Sequence, residues 1–482
     1  MTNALEGVLD PAALARHGAR VALAGEETVS FDELAVRVRR AAAALTAIGG
    51  GPGERVLIAM RDTPEFAAAW LGTVHAGMVA VALNNRLTEA ECRHILADSG
   101  ARIVLAEEGS ALARVAPSRL AAFRRAIADA READATPVAD DAPAFMLYSS
   151  GTTGQPKGIV HSRRSFRSLG GAFRAFGINE TDRVFCTSRL FFAYGLDHGL
   201  LAPLAIGATA VLHGDWPDAD AVLAVVARHR PTVLFSVPTM YRRLLAEPRE
   251  RLAPLRGVRR FIAGGERLSP QLLEQWRNAA GGELLNLYGM SETFCACVVT
   301  PPGDSNGIRT GRPLPGVDVR LDEAGVLWVR HPAQAQGYAN LPAETQAQFR
   351  DGWFCTRDVF AHDAAGFLVH QGRADELVKV AGQWVQPGEL EGVAIQVPGV
   401  TEAACVPVAE PDGPERLALF VTTDGDPAAA EREVTALCVS VLPRFKRPRW
   451  IRAVAELPRT ATGKVQRYKL REILERELSG KD

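Results

Sequence analysis

A chain of 482 residues is too long for one compact core and is expected to fold as two or three domains. Its 47% hydrophobic and 23% charged residues exclude a disordered or fibrous chain, and 55 basic against 56 acidic side chains exclude a global field steering it to nucleic acid or an anionic membrane. Any anionic ligand must be captured by local groups.

The opening stretch MTNALEGVLDPAALARHG lacks a basic start followed by an apolar core, and no run reaches the ~20 apolar residues of a membrane span. A cytoplasmic protein is expected, with no membrane and no nucleic acid among its partners, as a monomer or homodimer. Ser30-Phe31-Asp32-Glu33 reads as a capping box, and Leu34, Val38, Ala41, Leu45 and Ile48 repeat at helical spacing behind it. Gly49 to Gly53 end that helix, and Arg55 to Met60 follows as a short apolar run of the buried-strand kind. Strand-like runs recur at 101–106, 208–212, 232–237 and 259–263, with a helix over 218–229, so the organisation is α/β. Residues 107–142, rich in Ala, Arg and Asp, read as a surface helix and linker. Beyond about residue 372 the units shorten, and the Arg/Lys-dotted stretch from Arg444 to Lys481 reads as a solvated helix with paired charges. The domain boundary is placed at Asp375, giving domains 1–374 and 375–482.

Seven cysteines, odd in number and widely spread, fit a reducing compartment. Cys295 and Cys297 form a C-x-C without a second pair, which reads as pocket or core thiols rather than a zinc site.

The strongest signal begins at Phe145-Met146-Leu147-Tyr148, a strand running into Ser149-Ser150-Gly151-Thr152-Thr153-Gly154-Gln155-Pro156-Lys157-Gly158. Small residues let backbone N–H groups approach phosphate oxygens, the hydroxyls add donors, and Lys157 supplies a compensating charge. The pattern suits a triphosphate, although the Walker arrangement G-x-x-x-x-G-K-[S/T] is absent.

With this loop the sequence resembles the adenylate-forming superfamily of acyl-CoA synthetases, carrier-protein adenylation domains and luciferases, and the likeness covers nearly the whole chain in family order. It implies a large N-terminal multi-subdomain α/β body with a small mobile C-terminal α/β domain. It implies that Ser149, Ser150, Gly151, Thr152, Thr153, Gly154 and Lys157 hold phosphate, with Thr152 and Lys157 serving catalysis. In Asn286-Leu287-Tyr288-Gly289-Met290-Ser291-Glu292-Thr293, Asn286 would meet the adenine amino group, Tyr288 would stack on its ring and Glu292 would hold Mg²⁺. Gly264-Gly265-Glu266 resembles the segment bordering adenine, so Gly265 and Glu266 join the nucleotide set. Asp358 would bind the ribose hydroxyls, although the family usually has Gly where this chain has Arg357.

Gly372-Arg373-Ala374-Asp375-Glu376 resembles the family hinge, where Arg373 would contact ribose or phosphate and Asp375 would be the pivot. Gly382 would flank a pantetheine arm. Pro458-Arg459-Thr460-Ala461-Thr462-Gly463-Lys464 resembles the C-terminal lysine motif, so Lys464 would stabilise oxyanions as a substrate carboxylate attacks the α-phosphorus.

Arg189-Leu190-Phe191-Phe192-Ala193-Tyr194-Gly195-Leu196 is similar to a segment of benzoate-CoA ligases and would put Phe192, Ala193 and Tyr194 beside an aryl ring. Gly289, Cys295 and Ala296 would line the other side. Benzoate-CoA ligases generally carry a histidine and then a bulkier aliphatic at positions 295 and 296, and small or amide residues at Asp197-His198. The pocket is therefore roomier, leaving space for a ring hydroxyl, an amino group or a second ring. The implied substrates are an aromatic acid, ATP with Mg²⁺, and coenzyme A; a carrier-protein phosphopantetheine is the alternative acceptor.

Overall fold

The computed structural model describes residues 5, 7–150, 155–374, 378–380, 383–409, 415–459 and 465–479. The chain divides into two compact units, the first formed by Met1–Arg320, Trp328–Thr356 and His362–Val369, the second by Leu321–Leu327, Arg357–Ala361 and His370–Asp482. It is a large N-terminal α/β body followed by a small C-terminal domain.

The expected first helix is Phe31–Ala47, capped by Ser30, whose hydroxyl accepts from the Glu33 N–H while the Glu33 carboxylate accepts from the Ser30 N–H at 2.8 Å. Its Leu34, Val38, Ala41 and Leu45 face is buried. The apolar runs that follow are strands buried on both faces, as parallel sheets require. Arg55–Ala59, Val79–Ala82, Ile103–Ala106 and Pro143–Ser150 lie parallel in a six-stranded sheet, and Pro156–Ser162 and Gly337–Tyr338 add antiparallel to its edge. A nine-stranded sheet has Leu284–Gly289, Arg260–Gly264, Val233–Ser236, Arg183–Cys186, Thr209–Val211 and Val21–Ala24 as its parallel centre. The runs at 101–106, 208–212, 232–237 and 259–263 all fall on these strands. The helix predicted over 218–229 is Ala219–His229, with the Asp218 carboxylate accepting from Ala221 N–H at 2.8 Å.

The small domain packs Pro387–Ala394, Pro427–Val441 and Arg467–Ser479 with the sheet of Val400–Ala409, Glu415–Thr423 and Trp450–Ala453.

Two local expectations differ from what forms. Residues 107–142 hold two helices, Ala111–Val115 and Leu120–Asp129, and the second is a surface helix with one inward face: Leu120 and Phe123 are buried where it packs on Phe31–Ala47, while Arg124, Arg125 and Asp129 are exposed. The stretch from Arg444 holds a strand, Trp450–Ala453, before its last helix, in which Leu470 and Leu474 are buried. Pro156-Lys157-Gly158 is the start of a strand, in which Lys157 pairs across to Ser149 and Pro156 to Ser150.

Candidate functional site

In parallel α/β sheets ligands gather beyond the carboxyl ends of the strands, and most of the candidate residues of the first unit stand there. Ser149 and Ser150 end the strand Pro143–Ser150, Gly265 and Glu266 follow Arg260–Gly264, and Asn286, Tyr288 and Gly289 close Leu284–Gly289. Gly151, Thr152, Thr153, Gly154, Asp375, Gly382 and Lys464 lie outside the described residues, as does the side chain of Ser150.

Lys157 forms an ion pair with Glu344, on the helix Pro342–Gln348, and its side chain is only 11% exposed. A carboxylate on this helix thus holds the ammonium at the start of the strand Pro156–Ser162. The next strand pairings, Tyr338 with Ile159 and Gly337 with Val160, set Tyr338 alongside the strand of Lys157. Its hydroxyl donates to the Glu292 carboxylate at 2.9 Å, and Ala335 N–H donates to the Glu292 carbonyl at 2.7 Å. His161, fully buried on the strand of Lys157, lies 2.8 Å from the Ser291 carbonyl through Nε2 and stacks on Phe145 at 4.8 Å. Burial lowers its pKa to about 4, so it is neutral at pH 7 and Nε2–H is the donor. The strand bearing Lys157 and the loop bearing Glu292 are therefore one hydrogen-bonded assembly.

Around the adenine candidates, Asn286 donates from Nδ2 to the Arg309 carbonyl at 3.3 Å, which leaves its side-chain oxygen as the atom to accept from an exocyclic amine. Gly265 has φ +79°, and the Glu266 carboxylate accepts from the backbone and hydroxyl of Thr239 at 3.0 and 2.7 Å.

The segment Arg189–Leu196 is fixed from both ends. Arg189 is buried, with its Nη atoms donating to the carbonyls of His213, Gly214 and Asp215 and Nε 3.2 Å from Asp62. Asp62 also accepts from Leu190 N–H at 3.0 Å; burial pushes its carboxyl up to about 7 against the pull of Arg189. Phe192 is half-buried against Phe191, with ring centroids 4.3 Å apart, and it precedes the short helix Ala193–Leu196. The Tyr194 hydroxyl reaches the carbonyls of Ser236, at the end of one central strand, and of Ile262, in the middle of the next. Gly195 packs against the preceding chain so closely that a Cβ there would lie 2.1 Å from the Arg189 carbonyl oxygen. Cys295 is buried beside the Asp197 carboxylate, and Ala296 pairs with Gly289 across the sheet. Phe192, Ala193 and Tyr194 are thus linked through Asp197 to Cys295 and its neighbours. Cys297 Sγ is 3.2 Å from the Thr293 hydroxyl, as expected of a core thiol.

In the second unit Asp358, only 6% exposed, has His370 Nε2 and Arg373 Nη1 each 3.6 Å from its carboxylate. Arg357 takes φ +59°, the left-handed backbone that glycine adopts freely, and its carbonyl accepts from Ala374 N–H at 2.7 Å. The local backbone accommodates arginine with a glycine-like conformation.

Sequence reasoning missed Glu344, Tyr338, His161 and Asp62. Each acts through a partner far along the chain, 187 residues away for Glu344 and 128 for the Asp62 contact with Leu190, and no spacing rule announces such pairs.

A two-unit α/β protein with a Ser/Gly hairpin on one strand pair, a glutamate loop bonded to it and a separate Asp/Arg cluster has the form of a nucleotide-using carboxylate-activating enzyme. The family model "AMP-binding enzyme" matches residues 11–339 and "AMP-binding enzyme C-terminal domain" matches 389–464. The 3-hydroxybenzoate–CoA/4-hydroxybenzoate–CoA ligase of Thauera aromatica is 39% identical, over 95% of this chain and 94% of its own. The anthranilate CoA ligase AuaEII, solved in complex with anthranoyl-AMP, superposes with a TM-score of 0.90 at 28% identity, over 98% of this chain and 97% of that one. A benzoate CoA ligase from Burkholderia xenovorans LB400 gives 0.88 at 33% identity, over 98% and 100%. The chain belongs to the AMP-binding enzyme family.

Among the described residues no helix is long and apolar enough to cross a membrane, and no group of three or more His, Cys, Asp or Glu forms a metal-binding cluster.

Proposed function

We propose that the chain activates a benzoate-like aromatic acid with ATP and transfers the acyl group to coenzyme A, releasing AMP and pyrophosphate. The observation that carries this reading is the bonded assembly of Lys157, His161, Ser291, Glu292 and Tyr338, with a segment resembling those of benzoate-CoA ligases at the neighbouring strand ends.

In the first half-reaction a carboxylate oxygen attacks the α-phosphorus, a C–O–P bond forms, the bond to the β-phosphate oxygen breaks and pyrophosphate leaves. Lys157 and the hairpin residues Ser149 to Gly154 neutralise and orient the phosphates, Asn286 and Tyr288 take adenine beside Gly265 and Glu266, and Asp358 and Arg373 take ribose. Lys464 bridges the two oxyanions as charge builds. Glu292 offers a hard oxygen ligand, and among the described residues no acidic cluster surrounds it, which fits a Mg²⁺ that would arrive with the triphosphate rather than a cation caged by protein. When bound, that ion would supply charge neutralisation at the phosphates, and Glu292 would hold it. In the second half-reaction the thiol attacks the carbonyl carbon of the mixed anhydride and AMP departs. Residues 375–482 form the domain that pivots at Asp375 between the halves, with Gly382 beside the pantetheine arm.

The test is pyrophosphate–ATP exchange driven by benzoate and its hydroxy and amino derivatives, followed by chromatographic detection of the thioester with CoA or a carrier protein as acceptor. Acid-dependent exchange and a CoA thioester are expected, and Lys464→Met should lower exchange by at least a hundredfold. Exchange undiminished in that variant, or no exchange with any aromatic acid, overturns the reading.

A further inference from the structure

Beside the aryl segment stands a buried acid whose partners do not account for it. Asp197 is 3% exposed, and its Oδ1 has no hydrogen-bond partner among the described residues. The Cys295 thiol adjoins this carboxylate, and burial raises the Asp197 carboxyl to about 7. Its neighbour His198 is no counter-charge. Nδ1 of that ring lies 3.1 Å from the Tyr194 carbonyl, which fixes the proton there, and burial lowers its pKa to about 4. No Lys or Arg pairs with Asp197 among the described residues.

An unmatched buried acceptor is destabilising unless something fills it. The backbone here is a wide turn, Asp197–Leu201, of the π-helical kind that interrupts helices at functional positions. The turn follows directly on the helix that carries Ala193 and Tyr194.

Resting on the proposed function, we propose that Asp197 is a specificity-determining residue that accepts a hydrogen bond from a hydroxyl or amino group on the ring of the acid. The substrate class is then a benzoate bearing a hydrogen-bond donor, with the Cys295 thiol beside the carboxylate that receives it. A site built to pair with a donor rejects the analogue lacking one far more strongly than an apolar slot rejects a change of size.

The test compares kcat/KM for 2-, 3- and 4-hydroxybenzoate and the three aminobenzoates with the three methylbenzoates, which match them in size and offer no donor. Wild type should favour a donor over methyl by at least tenfold at one ring position. Asp197→Leu should reduce that ratio at least tenfold, and isosteric Asp197→Asn, which keeps the shape and offers a weaker neutral acceptor, should reduce it at least threefold even if the leucine variant fails to fold. A wild-type ratio near one at every position, or an Asn variant that lowers donor and methyl acids equally, overturns the assignment. Absence of turnover with any aromatic acid in wild type would instead sink the proposed function.

Discussion

Replacing His161 probes the join between the phosphate strand and the Glu292 loop. The ring is fully buried, lies nearly parallel to Phe145 at 12° and reaches the Ser291 carbonyl at 2.8 Å. His161→Phe keeps a planar ring on Phe145 but strands a buried carbonyl, a loss of about 1–3 kcal/mol at pH 7. Burial lowers the folded-state pKa from 6.5 to about 4, so between those values the unfolded chain binds a proton that the folded chain refuses. This contribution is full above pH 6.5 and is lost as pH falls towards 4. At pH 5 the loss is 1.5 units, or about 2 kcal/mol, and a phenylalanine does not share it. Urea unfolding of wild type and His161→Phe at pH 7 and pH 5 reads both quantities. The stability gap should narrow by about 2 kcal/mol at pH 5, and pyrophosphate exchange at pH 7 should fall about ten- to a hundredfold as the Ser291 loop loses its anchor. A gap equal at both pH values, or a variant as stable as wild type at pH 7, refutes the reasoning.

Gly195→Ala would place a methyl 2.1 Å from the Arg189 carbonyl and 2.5 Å from that of Ser188, backbone atoms that cannot step aside as a flexible side chain does. A loss of about 1–3 kcal/mol in thermal or urea unfolding, with a raised KM for the aromatic acid, is expected; an unchanged KM would show that this segment does not shape the acid site. At position 357 the left-handed φ of +59° disfavours a β-branched residue, so Arg357→Ile should destabilise by about 1–2 kcal/mol while Arg357→Gly stays near wild type. Urea midpoints read the pair, and equal values for Ile and Gly would contradict the backbone assignment.

What was legible in the sequence followed from local physics. The capping box at Ser30, the apolar runs such as Arg55–Ala59 and the helical stretch ending at His229 rest on interactions within a few residues, and each forms where expected. The burial of Phe123 was not legible, because it depends on the helix Phe31–Ala47 lying opposite. The same division holds at the site. Lys157, Glu292 and the Phe192–Tyr194 segment stand in runs of distinctive composition, whereas the carboxylate of Glu344, the Tyr338 hydroxyl and the Asp62 clamp become visible only once strands are paired. Arg357 was legible as a departure from pattern, but its meaning, a non-glycine residue held in a glycine conformation, required the backbone angle.

Lys157 belongs to a strand whose partners on both sides are fixed, Ser149 opposite it and Gly337 and Tyr338 along the outer edge. Side chains on a strand alternate in direction, so phase matters here more than length. Residues added between Ser150 and Pro156 would lengthen the connection and leave Lys157 pointing the same way. One residue added between Lys157 and Ile159 would turn the ammonium to the opposite surface of the sheet, away from Glu344. Length variation among family members should therefore be absorbed before the proline and excluded after it.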